Sequence, residues 1–183
     1  MLNPLWSNIF HKTPSEETIG GFLGTVPIFA GLAGRELRFL ENLVHLRRYH
    51  PQEGVFAAGD PGSGMYIIRS GRVQIFLRHD DGREEELAQL GPGDFFGETT
   101  LTAPAVRSAS VRALEYTELI GLFRADLLEA AEKQPVIANR ILFGVTRVVS
   151  ERLQAAGQEI SRLRGQLAEL EAGRAQTVPP ADS

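Results

Sequence analysis

Between Val44 and Phe123, the pattern is one of short strands divided by four turns rich in glycine or proline. They are Pro51-Gln52-Glu53-Gly54, Gly59-Asp60-Pro61-Gly62-Ser63-Gly64, Asp80-Asp81-Gly82 and Gly91-Pro92-Gly93-Asp94. Several strands at such spacing suggest a compact antiparallel β-roll or jelly roll. In the run from Arg72 to Leu77, Val73, Ile75 and Leu77 alternate with Arg72, Gln74 and Phe76, so one face is core-like. Asp81-Gly82 predicts a hairpin turn leading into Glu85–Leu90.

After Arg124 the period becomes helical, first through Leu127–Ala131 and then, beyond Pro135, through a much longer helix. Val149, Leu153, Ala156, Ile160, Leu163, Leu167 and Leu170 alternate spacings of four and three without a miss, which is a coiled-coil seam. With Leu153, Ile160 and Leu167 at a and the others at d, the seam permits a two-stranded parallel pair, in which Glu159 at g faces Arg164 at e of the partner. Gly157 and Gly165 each cost about 1 kcal/mol against alanine, so the helix is expected to depend on a partner. At the other end, Leu2, Leu5, Trp6, Ile9 and Phe10 form a short apolar stripe at helical spacing, suited to docking on its own domain or, as the alternative, on a partner or a membrane surface. Thr13-Pro14-Ser15-Glu16 reads as a capping box opening a second helix over 14–23.

The expected fold class is therefore α+β: an antiparallel, jelly-roll-like β-roll flanked by N-terminal helices and a long C-terminal coiled-coil helix. The expected divisions are a helical segment over 1–25, the roll over 26–134, the long helix over 135–173 and a frayed tail over 174–183. A chain of 183 residues suits one domain with such appendages.

Composition narrows the function classes. The formal charge is −4, with only two lysines, Lys12 and Lys133, and scattered arginines, which argues against nucleic-acid affinity through bulk positive charge. The absence of cysteine excludes disulfides, thiolate clusters and cysteine-ligated zinc. No run of 18 apolar residues occurs and the N-terminus lacks a signal-peptide pattern, so the cytoplasm is the default expectation and a membrane partner is not expected.

The chemistry-bearing segment starts at Gly91-Pro92-Gly93-Asp94-Phe95-Phe96-Gly97-Glu98. Its glycine spacing misses the dinucleotide fingerprint, and no Gly-Lys-Ser/Thr follows for a P-loop. Instead, a short helix-compatible stretch from Glu98 to Leu101 and a turn at Ala103-Pro104 lead to Arg107 and a strand through Ser108–Val111. Backbone N–H groups at a helix N-terminus near one guanidinium suit a phosphate monoanion. Gly97 lets the backbone approach closely. The Glu98 carboxylate makes sense as an acceptor for a sugar hydroxyl.

Phe96-Gly97-Glu98, Leu101 and Arg107-Ser108-Ala109 together resemble the phosphate-binding cassette of cyclic nucleotide-binding domains. That family includes catabolite-activator regulators and regulatory subunits of protein kinase A. Ile28–Leu32, Gly59-Asp60, Met65–Ile68, Ser70–Val73 and Leu90–Asp94 follow the family pattern in order, so the resemblance covers about residues 26–150. It implies a ligand of the cAMP or cGMP type, with Glu98 on the ribose 2′-hydroxyl and Arg107 on the exocyclic phosphate oxygens. Gly97, Thr99 and Thr100 would offer backbone or hydroxyl contacts, and Ser108 would bond phosphate or a guanine edge. Ile75 and Leu90 are candidate walls of the base pocket or plain core residues; Arg152 and Gln154 are candidate covers of the base or surface residues. Thr99-Thr100 departs from the family, which usually has an aliphatic and a small residue there. Catabolite-activator regulators carry a helix-turn-helix after the long helix, whereas about ten residues follow the seam here, so direct DNA binding is not expected.

The resemblance implies a non-catalytic sensor, a homodimer through 149–170, that passes ligand state to an unidentified downstream protein. The alternatives are a constitutive coiled-coil adaptor with a degenerate pocket, or a sensor of a different small ligand. An enzyme of the metal-dependent cupin kind needs clustered histidines and carboxylates, but His11, His45, His50 and His79 occur singly. Haem ligation by His79 competes with a simpler reading as an exposed hairpin histidine. No nucleophile elbow or His-Glu-x-x-His motif is present, so no catalytic residue and no cofactor is expected.

Overall fold

The computed structural model describes residues 18–176, with side chains to 169. The apolar stripe from Leu2 to Phe10, the capping box at Thr13 and the last seven residues lie outside the described residues. Two short helices, α1 (Ile19–Thr25) and α2 (Gly34–Glu41), flank a single 3₁₀ turn at Pro27–Phe29. Strands β1 (His45–Tyr49), β2 (Gly54–Phe56), β3 (Pro61–Gly62), β4 (Gly64–Ser70), β5 (Val73–Arg78) and β6 (Glu84–Leu90) follow. Then come β7 (Phe95–Phe96), a 3₁₀ turn at Glu98–Thr100, β8 (Ala105–Val106), β9 (Ser110–Ala113) and β10 (Thr117–Phe123). Helices α3 (Arg124–Lys133) and α4 (Pro135–Gln176) complete the described chain.

All strand pairs are antiparallel, in sheets of order β1-β10-β4-β7 and β2-β9-β5-β6 with a small β3-β8 ribbon. The expected α+β roll flanked by helices is thus the observed fold. Apart from its edge strand β1, the first sheet is buried on both faces, which explains its doubled apolar residues. Ile67, Phe95, Ile120 and Leu122 pack against the helices, while their chain neighbours Ile68, Phe96 and Leu119 turn into the roll. Opposite them, Val73, Ile75, Ala88, Leu90 and Val111 close the inner core from the second sheet.

The strand pattern read for β5 holds for Val73 and Ile75. Phe76 departs from it, being only 6% exposed although its neighbour Ile75 faces inward. The β5–β6 register shifts between Ile75 and Phe76, and the Arg112 guanidinium lies 4.5 Å from the Phe76 ring centroid, shielding it from water. The hairpin at Asp81-Gly82 is formed, with Gly82 at φ 83°.

Of the helix expected over 14–23, the described residues show α1 from Ile19, and residues 14–17 lie outside them. Thr18 caps α1, its hydroxyl accepting from Gly21 N at 3.2 Å. Helix α2 was not foreseen from the sequence; its first turn is fixed by Glu36, whose carboxylate accepts from Ala33 N at 2.7 Å. The same carboxylate takes two hydrogen bonds from Arg140 Nη1 of α4, at 3.0 and 2.8 Å, and the Ala33 bond foremost holds it below the ordinary glutamate range. Arg147 Nη2 donates to Pro27 O at 2.7 Å, two turns further along. These bonds seat the N-terminal helices on α4, whose inward residues Ile137, Ala138, Ile141, Val145 and Val148 belong to the outer core.

Proline at the first position of α4 separates it from α3, since the ring cannot continue the preceding helix hydrogen bonds. Past Val149 the helix leaves the core, and Leu153, Ile160, Leu163 and Leu167 are 45–72% exposed. The heptad residues thus form an apolar stripe on the helix surface, and Glu159 is bonded within its own helix to Arg162.

Gly144 marks the closest approach of α4 to the 3₁₀ turn at Pro27–Phe29. A Cβ there would overlap the Ile28 carbonyl. Gly144→Ala is expected to destabilise the fold by about 1–3 kcal/mol through overpacking, measured as a lower urea midpoint at unchanged m-value.

Candidate functional site

The turn Gly91–Asp94 delivers β7 to the edge of the first sheet: Asp94 Oδ2 accepts from Gly91 N at 2.9 Å, and Asp94 O accepts from Ile68 N at 2.9 Å. After β7 the backbone reverses at Gly97, which has φ 77° and ψ 12°. A side chain there would adopt a left-handed conformation and would also run into Arg107 Nη1. The stretch after it is one 3₁₀ turn, closed by Thr100 N on Gly97 O at 3.2 Å and pinned by the fully buried Leu101. That turn is too short to sum peptide dipoles along an axis, so the helix-end contribution expected from the sequence is small and the guanidinium carries the positive field.

Arg107 is 6% exposed. Its main chain is paired with the turn after β2: Arg107 N donates to Asp60 O and Gly59 N donates to Arg107 O, each at 2.8 Å. Its Nη1 donates to Gly64 O at 2.8 Å and to Gly97 O at 3.2 Å, and lies 3.0 Å from Thr100 Oγ1. All three acceptors are neutral, and Arg107 has no salt bridge among the described residues. Burial pulls the guanidinium below its ordinary pKa, and the fields of Tyr66, Asp60 and Glu98 oppose that pull.

Beside it opens a crevice between the turn after β7 and the start of β9. Phe96, Gly97, Glu98 and Thr99 form one wall; Arg107, Ser108 and Ala109 form another; Phe56, Ile75 and Val111 supply an apolar side. Five of the six expected binding residues, Gly97, Glu98, Thr99, Arg107 and Ser108, therefore share one cavity. Thr100 does not line it: its hydroxyl is buried within 3.1 Å of Gly64 O and of Gly97 O, and it supports Arg107 from behind.

Of the candidate base-pocket residues, Ile75 lines the crevice. Leu90 is 1% exposed and belongs to the inner core, outside the lining. Gln154 is exposed on α4 and Arg152 does not line the crevice. Arg152 instead reaches Glu98, donating from Nη1 to Oε1 at 2.8 Å, with Nη2 3.3 Å from Phe95 O and Cζ 4.2 Å from the Phe95 ring centroid. The acid at the crevice is thus already paired, through one oxygen, with the long helix.

Phe96 and Ala109, named from the sequence as part of the cassette, line the crevice, whereas sequence reasoning missed Phe56 and Val111 as walls. Val111 had a signal, since it alternates with Ser110 and Arg112 along β9; Phe56 sits on a strand of three residues, too short for any period. Among the described residues there is no group of three or more histidines or carboxylates able to hold a metal ion, and no helix long and apolar enough to cross a membrane.

The family profile described as cyclic nucleotide-binding domain matches residues 46–134, which contain the whole crevice. The chain carries a cyclic nucleotide-binding domain. It is 37% identical over 137 residues to the cyclic AMP receptor protein of Thermus thermophilus, covering 75% of this chain and 62% of that one. It is 35% identical over 109 residues to a CRP-like cAMP-activated global transcriptional regulator of Mycobacterium tuberculosis, covering 60% of this chain and 47% of that one. The chain therefore spans about half to three fifths of these curated relatives. Among solved structures, the Thermus catabolite activator protein superposes with a TM-score of 0.67 at 36% identity, over 75% of this chain and 63% of that one. The N-terminal domain of a Streptomyces coelicolor transcriptional regulator gives 0.65 at 29% identity, over 76% and 94%. These relatives bear the names of regulators or receptors.

The cyclic nucleotide-binding domain needs glycine at position 97 for two reasons at once, backbone hand and room for the guanidinium. Gly97→Ala is expected to cost about 1–2 kcal/mol of stability from the left-handed backbone alone, read from a denaturant melt. It is also expected to displace Arg107, read as a shift of its side-chain NMR signals.

Proposed function

We propose that this chain is a non-catalytic sensor of a cyclic mononucleotide, cAMP or cGMP, and that it transmits the bound state through α4. The observation that carries the reading is the buried guanidinium of Arg107, which rests on neutral oxygens and lacks a counter-ion among the described residues. A buried cation without a partner is costly, and a singly charged ring phosphodiester in the adjoining crevice relieves that cost. The Nε and Nη2 edge of Arg107 makes no hydrogen bond among the described residues, which leaves a two-pronged donor for phosphate oxygens.

Glu98 supplies the sugar check. Its Oε1 accepts from Arg152, while Oε2 has no hydrogen-bond donor among the described residues and is open to a ribose hydroxyl. Arg152 also offsets the repulsion between this carboxylate and an incoming phosphate. Ser108, exposed at the crevice, suits either purine, whereas the names of the Thermus and Mycobacterium relatives favour cAMP.

Relay to α4 follows from the Glu98–Arg152 pair. A ligand shifts an equilibrium only by its differential affinity for the two arrangements, and a sugar hydroxyl on Glu98 alters the acid that Arg152 holds. The exposed stripe of Leu153, Ile160, Leu163 and Leu167 supports a homodimer through 149–170, with a separate protein receiving the signal. We place the protein in the cytoplasm, with neither DNA nor membrane as a direct partner.

Calorimetry with a panel of cyclic mono- and dinucleotides tests the reading. A cyclic mononucleotide is expected to bind, and a panel with no binder would favour the constitutive adaptor instead. Arg107→Ala is expected to weaken binding by about 1.5–3 kcal/mol through loss of charge-assisted hydrogen bonds; an unaltered dissociation constant would reject the pose. Arg152→Ala is expected to weaken it by about 1–2 kcal/mol and to abolish the ligand-dependent change in hydrogen exchange along α4. If that change persists in the variant, the relay runs by another route.

A further inference from the structure

We infer that Phe56 is a positioning residue for the anion site, its ring holding the Arg107 guanidinium in the plane from which its free edge meets a ligand. The inference deepens the cyclic-nucleotide reading and rests on it for the nature of the ligand.

Three observations converge on this residue. The Arg107 Cζ lies 4.1 Å from the Phe56 ring centroid, closer than the 5.9 Å to Tyr66. Contact at that distance over a ring face is a cation–π arrangement, and it is strengthened where water is excluded. The ring is itself immobilised: Phe56 packs at 5.9 Å from Phe96 and 6.1 Å from Tyr66, and those two rings stack at 5.6 Å. Finally, the chain leaving Phe56 is the turn that grips the Arg107 main chain, through Asp60 O and Gly59 N. That turn is closed by Asp60 Oδ2, which accepts from Ala57 N at 2.8 Å.

One five-residue segment, Phe56–Asp60, therefore fixes both the backbone and the side chain of the arginine. The three oxygens on Nη1 determine where one corner of the guanidinium sits. They do not fix rotation of the planar group about that corner, and the ring on its face does. The two together leave the Nε and Nη2 edge a single orientation. An aromatic ring performs this task without neutralising the charge, as a carboxylate would. The site thus keeps a full positive charge for the ligand while the arginine stays ordered in its absence. Phe56 also lines the crevice, so the surface that orients the arginine continues as a wall of the binding space.

The test combines calorimetry with a double-mutant cycle on the full chain, using the cyclic mononucleotide that binds best among cAMP and cGMP. Phe56→Leu keeps apolar bulk and removes the π-face; it is expected to weaken binding about 5- to 20-fold, and Phe56→Tyr to recover most of that loss. In an Arg107→Lys background, where the planar group is gone, Phe56→Leu is expected to change affinity less than about two-fold. Equal losses in both backgrounds would mean that Phe56 only fills space, and no loss in the Arg107 background would also overturn the inference. If the leucine variant does not fold, NMR of the unaltered, ligand-free protein decides. A ring stacked on the guanidinium shifts the Arg107 Nε–H proton upfield, and an unshifted signal overturns the proposal. That measurement needs no ligand. A failure of wild-type protein to bind any cyclic nucleotide therefore refutes the functional reading while the stacking is judged separately.

Discussion

A buried positive charge held by neutral groups organises this molecule. Arg107 draws together four parts of the chain that are remote in sequence: the turn after β2, the start of β4, the reversal at Gly97 and the 3₁₀ turn that follows. Each supplies an oxygen, a ring or a backbone pairing, and none brings a carboxylate into contact with the guanidinium. Because desolvation of a guanidinium is unfavourable, such an assembly is stable only where every donor on the buried side is matched. The saturation of Nη1 meets that requirement and leaves the other edge to solvent or ligand.

Around this centre the two sheets have different duties. The first, apolar on both faces, joins the roll to the helices, so Phe95 and Phe96 face opposite cores while belonging to one two-residue strand. The second sheet has one buried face, and its outer face carries ion pairs such as Arg112 with Glu84 at 2.8 Å. Exposed pairs of that kind contribute little to stability. Helix α4 is tied to the domain at two levels, near its start by Glu36 and Ile28, and further along by Glu98. The second tie reaches the crevice, so the same carboxylate lines that space and holds the helix.

Local chemistry made much of this legible before any coordinates. Alternation identified the inward face of β5, Asp81-Gly82 the hairpin and Pro135 the break between helices. Gly97, Glu98 and Arg107 stood out because glycine, acid and arginine at that spacing fit one charged ligand. What stayed hidden depends on contacts across long stretches of chain. Arg152 lies 54 residues from Glu98, and nothing in a helical period distinguishes it from a solvated arginine. Thr100 reads as a pocket hydroxyl beside Thr99, yet the tight 3₁₀ turn sends the two side chains to opposite sides. Leu90 and Ile75 carry equivalent signals, and only the packing of β6 against the roll separates core from crevice. Phe56 gave no signal at all, because a three-residue strand has no periodicity to read.

The length of α4 beyond its last anchor gives it mechanical leverage. From Arg152 to Gln176 the helix extends roughly 36 Å at 1.5 Å per residue, past the point where the roll supports it. A tilt of roughly 10° at Arg152 sweeps the far end through about 6 Å, a little more than one helical turn. In the proposed relay, a sub-ångström adjustment of one carboxylate need not travel through a packed core to be felt at a distance; a stiff rod pivoting on that acid would multiply it.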